Sequence, residues 1–553
     1  MRLVERRISL LFLVFVVLLG LAAFRAAWFG TVRASTLRQV ASSQQTQRIP
    51  LPAPRGTLVD RRGVELAVDE AADDVAVTPY LVKRPLGAAR RLAPLLRRPE
   101  ARVLATLVRR DTGFVYLARE LPSARAARIA HLGIPGIQLI PRQKRTYPRS
   151  WLASQLIGAV GTDGQGLWGL EQGLDPVLRG RDGVRRAVND ALGQPIELRD
   201  ERPTIPGQSV RLTLDAALQD KVEEVLQGVG ATYRPKGATA IVMDPRTSNV
   251  LAMANWPRVD ANDPLGAPAY ARQNRAVGFT YEPGSTFKAI TVAGALEQGL
   301  VTPETQFDLP VNIQIADRSI RDAETRGPER LSVAQILAQS SNVGAISIGL
   351  KLGATRFDRW VRRFGFGQQT GVRLPGEERG IVLPRKSYSG SSMGNLPIGQ
   401  GEAVTPLQMA TAYSAIANGG ILRPARIIAA IGGHRAPRPR GHRVISPRVA
   451  ASVRTMLEGV LAPGGTAQEA AIPGYALAGK TGTANKPDPV HGGYSSTRYV
   501  ASFVGFAPAR DPQLLVSIVV DEPQGAIYGG QVAAPAFQKL MAFALPYLGI
   551  PPR

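Results

Sequence analysis

The chain has 553 residues with 44% hydrophobic and 20% charged side chains, a composition that excludes a wholly disordered or fibrous protein and allows several globular domains. It contains no cysteine, which excludes disulfides and thiolate metal or redox sites, and no metal ligand set is expected from the spacing of its histidines: His131, His434, His442 and His491. The net charge of +25 favours contact with nucleic acid, anionic lipids or anionic wall polymers, although the arginine bias of a GC-rich genome would produce the same excess.

The first predicted element is an N-terminal membrane anchor. Residues 8–24 are seventeen uncharged residues, flanked by Arg7 and Arg25 and followed by Trp28 and Phe29. This length is at the short end of the roughly 17–25 residues that cross a bilayer. Arg25 can extend its head group to the membrane surface, where the aromatic side chains Trp28 and Phe29 are also favourable. A cleaved signal peptide is the alternative, but no A-x-A site follows the run. We therefore predict an uncleaved anchor within residues 1–30, whose orientation the nearly balanced flanking arginines leave open.

Residues 31–206 are predicted to form a second segment. It opens with a Ser/Gln/Arg-rich stretch at 35–48 and the proline-rich linker LPAPRG. Short β-like runs follow, together with an Arg/Ala-rich helical piece at 86–110 and turns rich in glycine and proline. No catalytic cluster is evident there.

Residues 207–553 are predicted to form an α/β domain. A strand leads into an amphipathic helix at 210–226, and two apolar runs at 238–255 form a hairpin. Helical patterns and then strand-like runs follow along the chain: helices at 285–296, 332–338 and 406–418, strands at 475–484, 501–509 and 513–523, and a helix near 533–544. Strands at both ends of a helical middle predict an antiparallel sheet that the C-terminal strands complete.

The strongest chemical signal is the sequence EPGSTFKAITVAGALEQG at 282–299. Ser285 and Lys288 stand three residues apart, on one face of the first turn of a predicted helix. A serine hydroxyl becomes a good nucleophile when a neighbour takes its proton, which lysine does when burial lowers its pKa and arginine does not. Only 10 of the 68 basic residues are lysine, and none of the other nine has a serine three residues before it. For this motif alone, a chance pair at a solvated helix start is the alternative.

Two polar motifs further along the chain add to this signal. The sequence SSN at 340–342 ends a helical run in a turn, where a hydroxyl and a carboxamide can face a cleft. The sequence KTGT at 480–483 follows an apolar run, and we interpret it as the exposed end of a strand at which Gly482 lets another backbone approach closely. Taken singly, each has an ordinary explanation as a helix cap or a turn.

In combination, the order STFK, SSN and KTG resembles that of the penicillin-recognising serine enzymes, whose motifs are SxxK, SxN and KTG. Further stretches over nearly the whole chain after the anchor look like class B, monofunctional penicillin-binding proteins: RGTLVDRRG, GQGLWGLEQGLDPVLRGRDG, NDALGQPIE, MDPRTSNVLAMAN and LPIGQGEAVTPLQMA. GQGLWGLE and NDALGQPI are most similar to the division-type branch, with an elongation-type enzyme as the alternative.

For the fold, the resemblance implies an α/β protein of the α+β type with three parts. These are a transmembrane helix in residues 1–30, an elongated mixed pedestal (dimerisation-like) domain in 31–206 and a penicillin-binding transpeptidase domain in 207–553. The last is expected to hold a five-stranded antiparallel sheet flanked by helices. Because the family acts outside the cytoplasmic membrane, the resemblance also implies a single-pass protein with an extracytoplasmic catalytic domain.

For the chemistry, the resemblance implies peptidoglycan D,D-transpeptidation without a metal or cofactor, with β-lactams as inhibitors. Ser285 is the implied nucleophile, which attacks the penultimate D-alanine carbonyl of a stem peptide and expels the terminal D-alanine. Lys288 is the implied general base, Ser340 the relay of a proton to the leaving amine, and Lys480 the residue that tunes Ser340. The backbone N–H groups of Ser285 and Thr483 are the implied oxyanion hole, and the implied substrate contacts come from Asn342, Thr481, Gly482 and Thr483.

Three other motif matches are rejected from their context. GYALAGKT at 474–481 fits a Walker A string, but its middle is strand-like and no helix follows. GQGLWG at 164–169 fits a dinucleotide fingerprint, but Gly173 and Pro176 interrupt the helix that should follow. GSSMG at 390–394 fits a nucleophile elbow, yet no apolar strand leads into it and no histidine is placed to serve it.

Other functions are weighed against the transpeptidase. A D,D-carboxypeptidase or β-lactamase shares the fold, but the ExxLN deacylation motif of class A β-lactamases is absent between SxN and KTG. Complete motifs argue against a non-catalytic wall-synthesis scaffold. Nucleic-acid binding lacks a recognition motif and conflicts with an extracytoplasmic site. By resemblance, the expected protein partners are a polytopic membrane glycosyltransferase and division or elongation proteins.

Overall fold

A computed structural model of the protein describes residues 2–31, 46–189, 195–488 and 490–552. Residues 35–45 of the Ser/Gln/Arg-rich stretch and residues 190–194 of NDALGQPIE lie outside the described residues. The chain divides into two compact units. One comprises Met1–Pro54, Ala71–Lys144 and Gly180–Gly207, and the other comprises Arg55–Glu70, Arg145–Arg179 and Gln208–Arg553. The domain limits drawn after residues 30 and 206 stay a prediction.

The N-terminal helix is the longest in the described chain. It runs from Arg2 to Thr31, and its segment Arg6–Thr31 is long and apolar enough to cross a membrane. At about 1.5 Å per residue, those 26 residues exceed the roughly 30 Å thickness of the hydrocarbon core. The uncharged run predicted to form the anchor therefore lies wholly within this helix.

The first unit has a small hydrophobic core of its own. Helices and strands contribute to it: Pro85–Leu96, Glu100–Leu107, Ser123–Ala130, Val115–Pro122, Ile137–Thr146 and the end of Glu65–Val77. The helical piece predicted at 86–110 is two helices rather than one, because Arg97 is left-handed (φ 50°) and Pro99 disfavours helical backbone in the residue before it. A separate antiparallel sheet has the order Thr46–Leu51, Gly183–Asn189, Pro195–Arg202.

In the second unit, two of the stretches that carry the family resemblance meet in a buried ion cluster. Arg55 of RGTLVDRRG lies with its Nε 2.6 Å from Oε2 of Glu171, which belongs to GLEQG. Arg145 Nε lies 2.7 Å from the other carboxylate oxygen of Glu171. The Glu171 side chain has no exposed surface, and a buried carboxylate is tolerated only when paired in this way.

A five-stranded antiparallel sheet forms the centre of the second unit, as the sequence predicted. Its strand order is Asn249–Trp256, Gly237–Asp244, Leu514–Asp521, Tyr494–Ala507, Ala478–Pro487. Every residue of Leu514–Asp521 is buried. Because successive side chains point to opposite faces, this burial means that both faces of the sheet are covered.

Helices supply that cover, and their ends follow capping rules. Pro406–Ala417 is buried on all sides and begins with a capping box between Thr405 and Gln408. Val333–Ala338 begins with the same device, formed by Ser332 and Gln335. Other helices of this unit have these bounds: Ser154–Ile157, Gly169–Gly173, Asp175–Leu178, Ala216–Tyr233, Arg275–Gly278, Lys288–Glu297, Asn342–Leu352, Ala354–Arg363, Ser392–Asn395, Pro447–Glu458, Gly529–Val532 and Ala534–Tyr547.

Shorter strands complete the second unit. They are Leu58–Val59, Ala159–Val160, Gly166–Trp168, Val210–Leu212, Gln306–Leu309, Asn312–Ile315, Arg318–Arg321, Glu329–Ser332, Ile421–Leu422, Ile428–Ile431, His434–Arg435 and His442–Arg443. The helix after the GQGLWG match is only the five residues Gly169–Gly173, which confirms that this match is not a dinucleotide fingerprint.

Candidate active site

Ser285 lies in a tightly held turn at the start of a buried helix. The turn Gly284–Phe287 is a 3-10 helix that runs directly into the α-helix Lys288–Glu297. The Gly284 N–H donates to the Gly399 carbonyl at 3.0 Å, and the Tyr413 hydroxyl donates to the Thr286 carbonyl at 2.6 Å. Ser285 itself is half-buried, so its hydroxyl is positioned by a rigid backbone.

Lys288 brings the second motif to this turn. Its side chain is 1% exposed, and Nζ donates to the Ser340 carbonyl at 2.6 Å and to Asn342 Oδ1 at 2.6 Å. The Ser340 hydroxyl lies 3.3 Å from the same nitrogen. Residues more than fifty positions apart in the chain therefore share one amine, as the motif order predicted.

Burial sets the protonation of this amine. It lowers the pKa of Lys288 to about 7, from an ordinary value of 10.5, with Asp322 opposing the shift and Arg326 adding to it. At neutral pH a large fraction of the Lys288 side chains is therefore uncharged, which is the form that accepts a proton.

The loop carrying Ser340 is held in a strained conformation between two helices. Ser340 has a left-handed backbone (φ 62°), which non-glycine residues rarely adopt. Ser341 caps the following helix by accepting from the Gly344 N–H at 3.0 Å. Asn342 Nδ2 donates to the Arg321 carbonyl at 3.0 Å. These contacts fix the Ser341 hydroxyl and the Asn342 carboxamide.

Asp322 is a site residue that the sequence analysis missed. Its Oδ1 accepts from the Asn342 N–H at 2.5 Å, from the Val343 N–H at 3.0 Å and from the Ser341 hydroxyl at 3.2 Å. One carboxylate oxygen thus accepts from free N–H groups at the start of a helix. Its negative charge also interacts favourably with the positive end of the helix dipole. It lies about twenty residues before SSN in a poorly patterned stretch, so no sequence signal marked it.

The prediction that KTGT lies at the exposed end of a strand is wrong for Lys480. The strand continues through the motif to Pro487, so KTGT does not form an exposed strand end, and the Lys480 side chain is completely buried. Burial, and secondly the charge of Lys288, hold the pKa of Lys480 well below its ordinary range. The two lysines are therefore near neighbours. The continuous strand, with no helix after it, also confirms the rejection of a Walker A loop.

The strand Ala478–Pro487 is the edge of the sheet and touches the turn that carries Ser285. A Cβ added to Gly482 would lie 2.9 Å from the Pro283 carbonyl oxygen and 2.3 Å from Ser502 Oγ, so only glycine fits there, as predicted. A Cβ on Gly284 would lie 3.0 Å from the Thr483 carbonyl oxygen. KTG and STFK therefore meet at van der Waals distance.

The two threonines of KTGT are already held by hydrogen bonds. Thr481 Oγ1 lies 2.9 Å from Thr466 Oγ1, and Thr483 Oγ1 accepts from the Gly529 N–H at 3.0 Å. Thr466 and Gly529 were not identified from the sequence. Both threonine hydroxyls thereby have fixed orientations beside the edge strand.

Within the described ranges, no group of three or more His, Asp or Glu side chains is arranged to hold a metal ion. All four histidines are exposed.

A serine–lysine pair against the edge strand of a five-stranded antiparallel sheet is typical of penicillin-recognising serine enzymes. Comparison with known protein families assigns the chain to the same class of enzymes. The profile of the "Penicillin binding protein transpeptidase domain" matches residues 238–542, and that of the "Penicillin-binding Protein dimerisation domain" matches residues 50–212. The chain belongs to the class B penicillin-binding protein family.

The similarity extends along nearly the full chain. PbpB of Mycolicibacterium smegmatis is 34% identical over 96% of this chain and 89% of its own length. Peptidoglycan D,D-transpeptidase FtsI of Escherichia coli is 32% identical over 97% of this chain and 91% of its own. The crystal structure of penicillin-binding protein 3 from Mycobacterium tuberculosis with aztreonam has 31% identity and a TM-score of 0.72, over 91% of this chain and 98% of that one.

The contacts of Asp322 predict its effect on the reaction with a penicillin. Asp322→Ala removes the acceptor for three donors and should slow acylation by a fluorescent penicillin at least about tenfold, equivalent to about 1.4 kcal/mol. Asp322→Asn keeps an acceptor oxygen but loses the charge that supports protonated Lys288. The ratio of its acylation rate at pH 6 to its rate at pH 8 should therefore be higher than the same ratio for the unmodified protein.

The matched control is Asp317→Ala, at an exposed aspartate five residues earlier. Equal acylation rates for Asp322→Ala and Asp317→Ala would show that Asp322 does not organise the site.

Proposed function

We propose that this protein is a peptidoglycan D,D-transpeptidase that works through an acyl-enzyme on Ser285. The observation that supports it best is the convergence of three motifs on one buried amine and one edge strand. Lys288 contacts Ser340 and Asn342, and the turn of Ser285 packs against the KTG strand. The relatives named peptidoglycan D,D-transpeptidase, among them FtsI, agree with this reaction.

In the acylation step, uncharged Lys288 takes the hydroxyl proton of Ser285 as the oxygen attacks the penultimate D-alanine carbonyl. The bond to the terminal D-alanine then breaks, and Ser340 passes a proton to the departing amine. An amine from a neighbouring stem peptide then attacks the ester and forms a new, cross-linking peptide bond. The ester bond to Ser285 breaks, and the proton lost by the amine returns to the Ser285 hydroxyl. Lys480, which is completely buried, is proposed to tune Ser340 electrostatically.

The backbone N–H groups of Ser285 and Thr483 are proposed to hold the oxyanion, and losing one such donor typically costs about 10²–10³ in rate. The open side of the edge strand Ala478–Pro487 is suited to an extended peptide that adds as a further strand. Asn342 is proposed to bind the peptide amide, and Thr481 and Thr483, which belong to that strand, are proposed to bind the terminal carboxylate.

We further propose an extracytoplasmic location and a septal role. The apolar helix Arg2–Thr31 supports a membrane anchor, and the sequence GQGLWGLE supports the division-type branch. A polytopic glycosyltransferase with other division proteins is the proposed set of partners. A fluorescent fusion is expected at the septum, and uniform signal along the sidewall would favour the elongation role.

The direct test of the reaction is covalent labelling. A fluorescent penicillin should acylate the purified full-length protein, and Ser285→Ala should abolish the labelled band, whereas the exposed control Ser387→Ala should label normally. Failure to label the unmodified protein, while a known penicillin-binding protein labels in parallel, would refute the proposal. An adduct that hydrolyses within seconds would instead indicate a β-lactamase or carboxypeptidase.

The pKa of Lys288 predicts the pH dependence of that labelling. Because the uncharged amine is the base, the acylation rate should rise with pH up to about 7 and level off above it. Lys288→Arg should lose acylation at every pH, since arginine does not deprotonate. Lys351→Arg, at an exposed lysine, is the control and should keep the unmodified profile. A rate independent of pH between 5 and 8 would exclude Lys288 as the base.

A further inference from the structure

A buried ion cluster joins the KTG strand to the segment that leads into Ser285, and no step of the proposed reaction uses it. Asp521 ends the strand Leu514–Asp521 and is 2% exposed. Its Oδ2 accepts from Arg275 Nη2 at 2.6 Å, and its Oδ1 accepts from Lys486 Nζ at 2.8 Å. Arg275 lies ten residues before Ser285, and Lys486 lies in the KTG strand, three residues beyond KTGT. Asp521, Arg275 and Lys486 together are the Asp521 cluster.

The pairing of the strands places this cluster on the sheet face that packs against the turn Gly284–Phe287. Four residues of neighbouring strands lie directly opposite one another: Gly237, Asp521, Val500 and Ala484. Side chains at directly opposite positions of a sheet lie on the same face. A Cβ on Gly284 would lie 3.3 Å from the Ala484 Cβ, so this shared face is the one that meets the turn. The Asp521 carboxylate and the Ser285 turn therefore lie on one side of the sheet.

The Arg275 guanidinium is packed between this sheet face and the backbone that continues to Ser285. A Cβ on Gly237 would lie 2.6 Å from Arg275 Cζ, so only glycine leaves room for the guanidinium beside the strand. On its other contact, Arg275 Cζ lies 4.1 Å from the centre of the Phe279 ring. The Phe279 ring is stacked on Tyr281, with ring centroids 6.0 Å apart and planes inclined by 2°. The contacts of Arg275 thus extend to a residue four positions before Ser285.

Lys486 is the member of the cluster that can be replaced while Asp521 keeps a partner. The side chains of Asp521 and Arg275 are 2% and 7% exposed, so each needs the other to offset the burial of its charge. The Lys486 side chain is 19% exposed and also donates to Glu522 Oε1 at 2.5 Å. Lys486 therefore ties the KTG strand to an ion pair that is already complete. Its replacement removes this tie and leaves the Arg275–Asp521 pair intact.

We propose that the Asp521 cluster sets the distance between the turn that carries Ser285 and the KTG strand. Its three members are positioning residues, because they act through the backbone of the turn and of the strand. The inference rests on the proposed acylation of Ser285. The proposed oxyanion hole takes one N–H group from each side of this distance, that of Ser285 from the turn and that of Thr483 from the strand. Such donors act only when they are placed accurately, and a misplacement of about 1 Å can cost about 10² in rate.

The test is the acylation of full-length Lys486→Met in detergent by a fluorescent penicillin, measured against penicillin concentration to separate Kd from the first-order acylation constant. The constant should fall about tenfold at every pH with an unchanged midpoint, because the environment of Lys288 is untouched. Kd should stay within about twofold, since the oxyanion donors act on the developing charge. Lys486→Arg keeps a cation beside Asp521 and should recover most of the rate. The control is Lys236→Met, at an exposed lysine whose Nζ lies 3.8 Å from Glu522, and it should match the unmodified protein.

An acylation constant that is unchanged in Lys486→Met would overturn the proposal, as would a fall that Lys486→Arg does not reverse or that shifts the pH midpoint. If Lys486→Met does not fold, Arg275→Lys tests the other arm of the cluster. It keeps a positive charge beside Asp521 but loses the guanidinium plane over Phe279, so it should slow acylation by a similar factor, and an unchanged constant would again overturn the proposal. Absence of acylation in the unmodified protein would instead refute the proposed function, so the two failures are distinguishable.

Discussion

The burial of the Lys288 side chain is the interaction on which the site depends. A lysine in that position needs acceptors for its N–H groups, and the Ser340 carbonyl and Asn342 Oδ1 provide them at 2.6 Å. The same burial lowers its pKa to about 7. Holding the SSN motif in place and lowering the pKa of the amine are therefore two consequences of the same burial.

Close backbone approaches, permitted by glycine, bring the third motif to the other two. A Cβ on Gly529 would lie 2.4 Å from the Gly482 carbonyl oxygen, and one on Gly399 would lie 2.3 Å from that of Gly284. Both distances are far below van der Waals contact. A side chain at 529 would therefore push the start of helix Gly529–Val532 away from the KTG strand, and one at 399 would push its own segment away from the Ser285 turn.

Local patterns in the sequence predicted the helices, the hairpin and the late strands, because each depends on the periodicity of a short segment. The motifs predicted which side chains would meet. Contacts between segments that are distant in the sequence were harder to predict. The burial of Lys480 depends on strand residues that continue beyond KTG, and the role of Asp322 depends on a helix start twenty residues away.

Buried arginines and buried lysines are neutralised in different ways in this strongly basic chain. The buried arginines Arg55 and Arg275 each lie 2.6 Å from a carboxylate. Lys288 and Lys480 are buried more completely, and neither forms an ion pair with the described residues. Arginine keeps its proton and so must be neutralised by a partner, whereas lysine can be neutralised by giving the proton up. Among the ten lysines of this arginine-rich protein, Lys288 and Lys480 are thus the two that are buried, where each can lose its charge without a carboxylate partner.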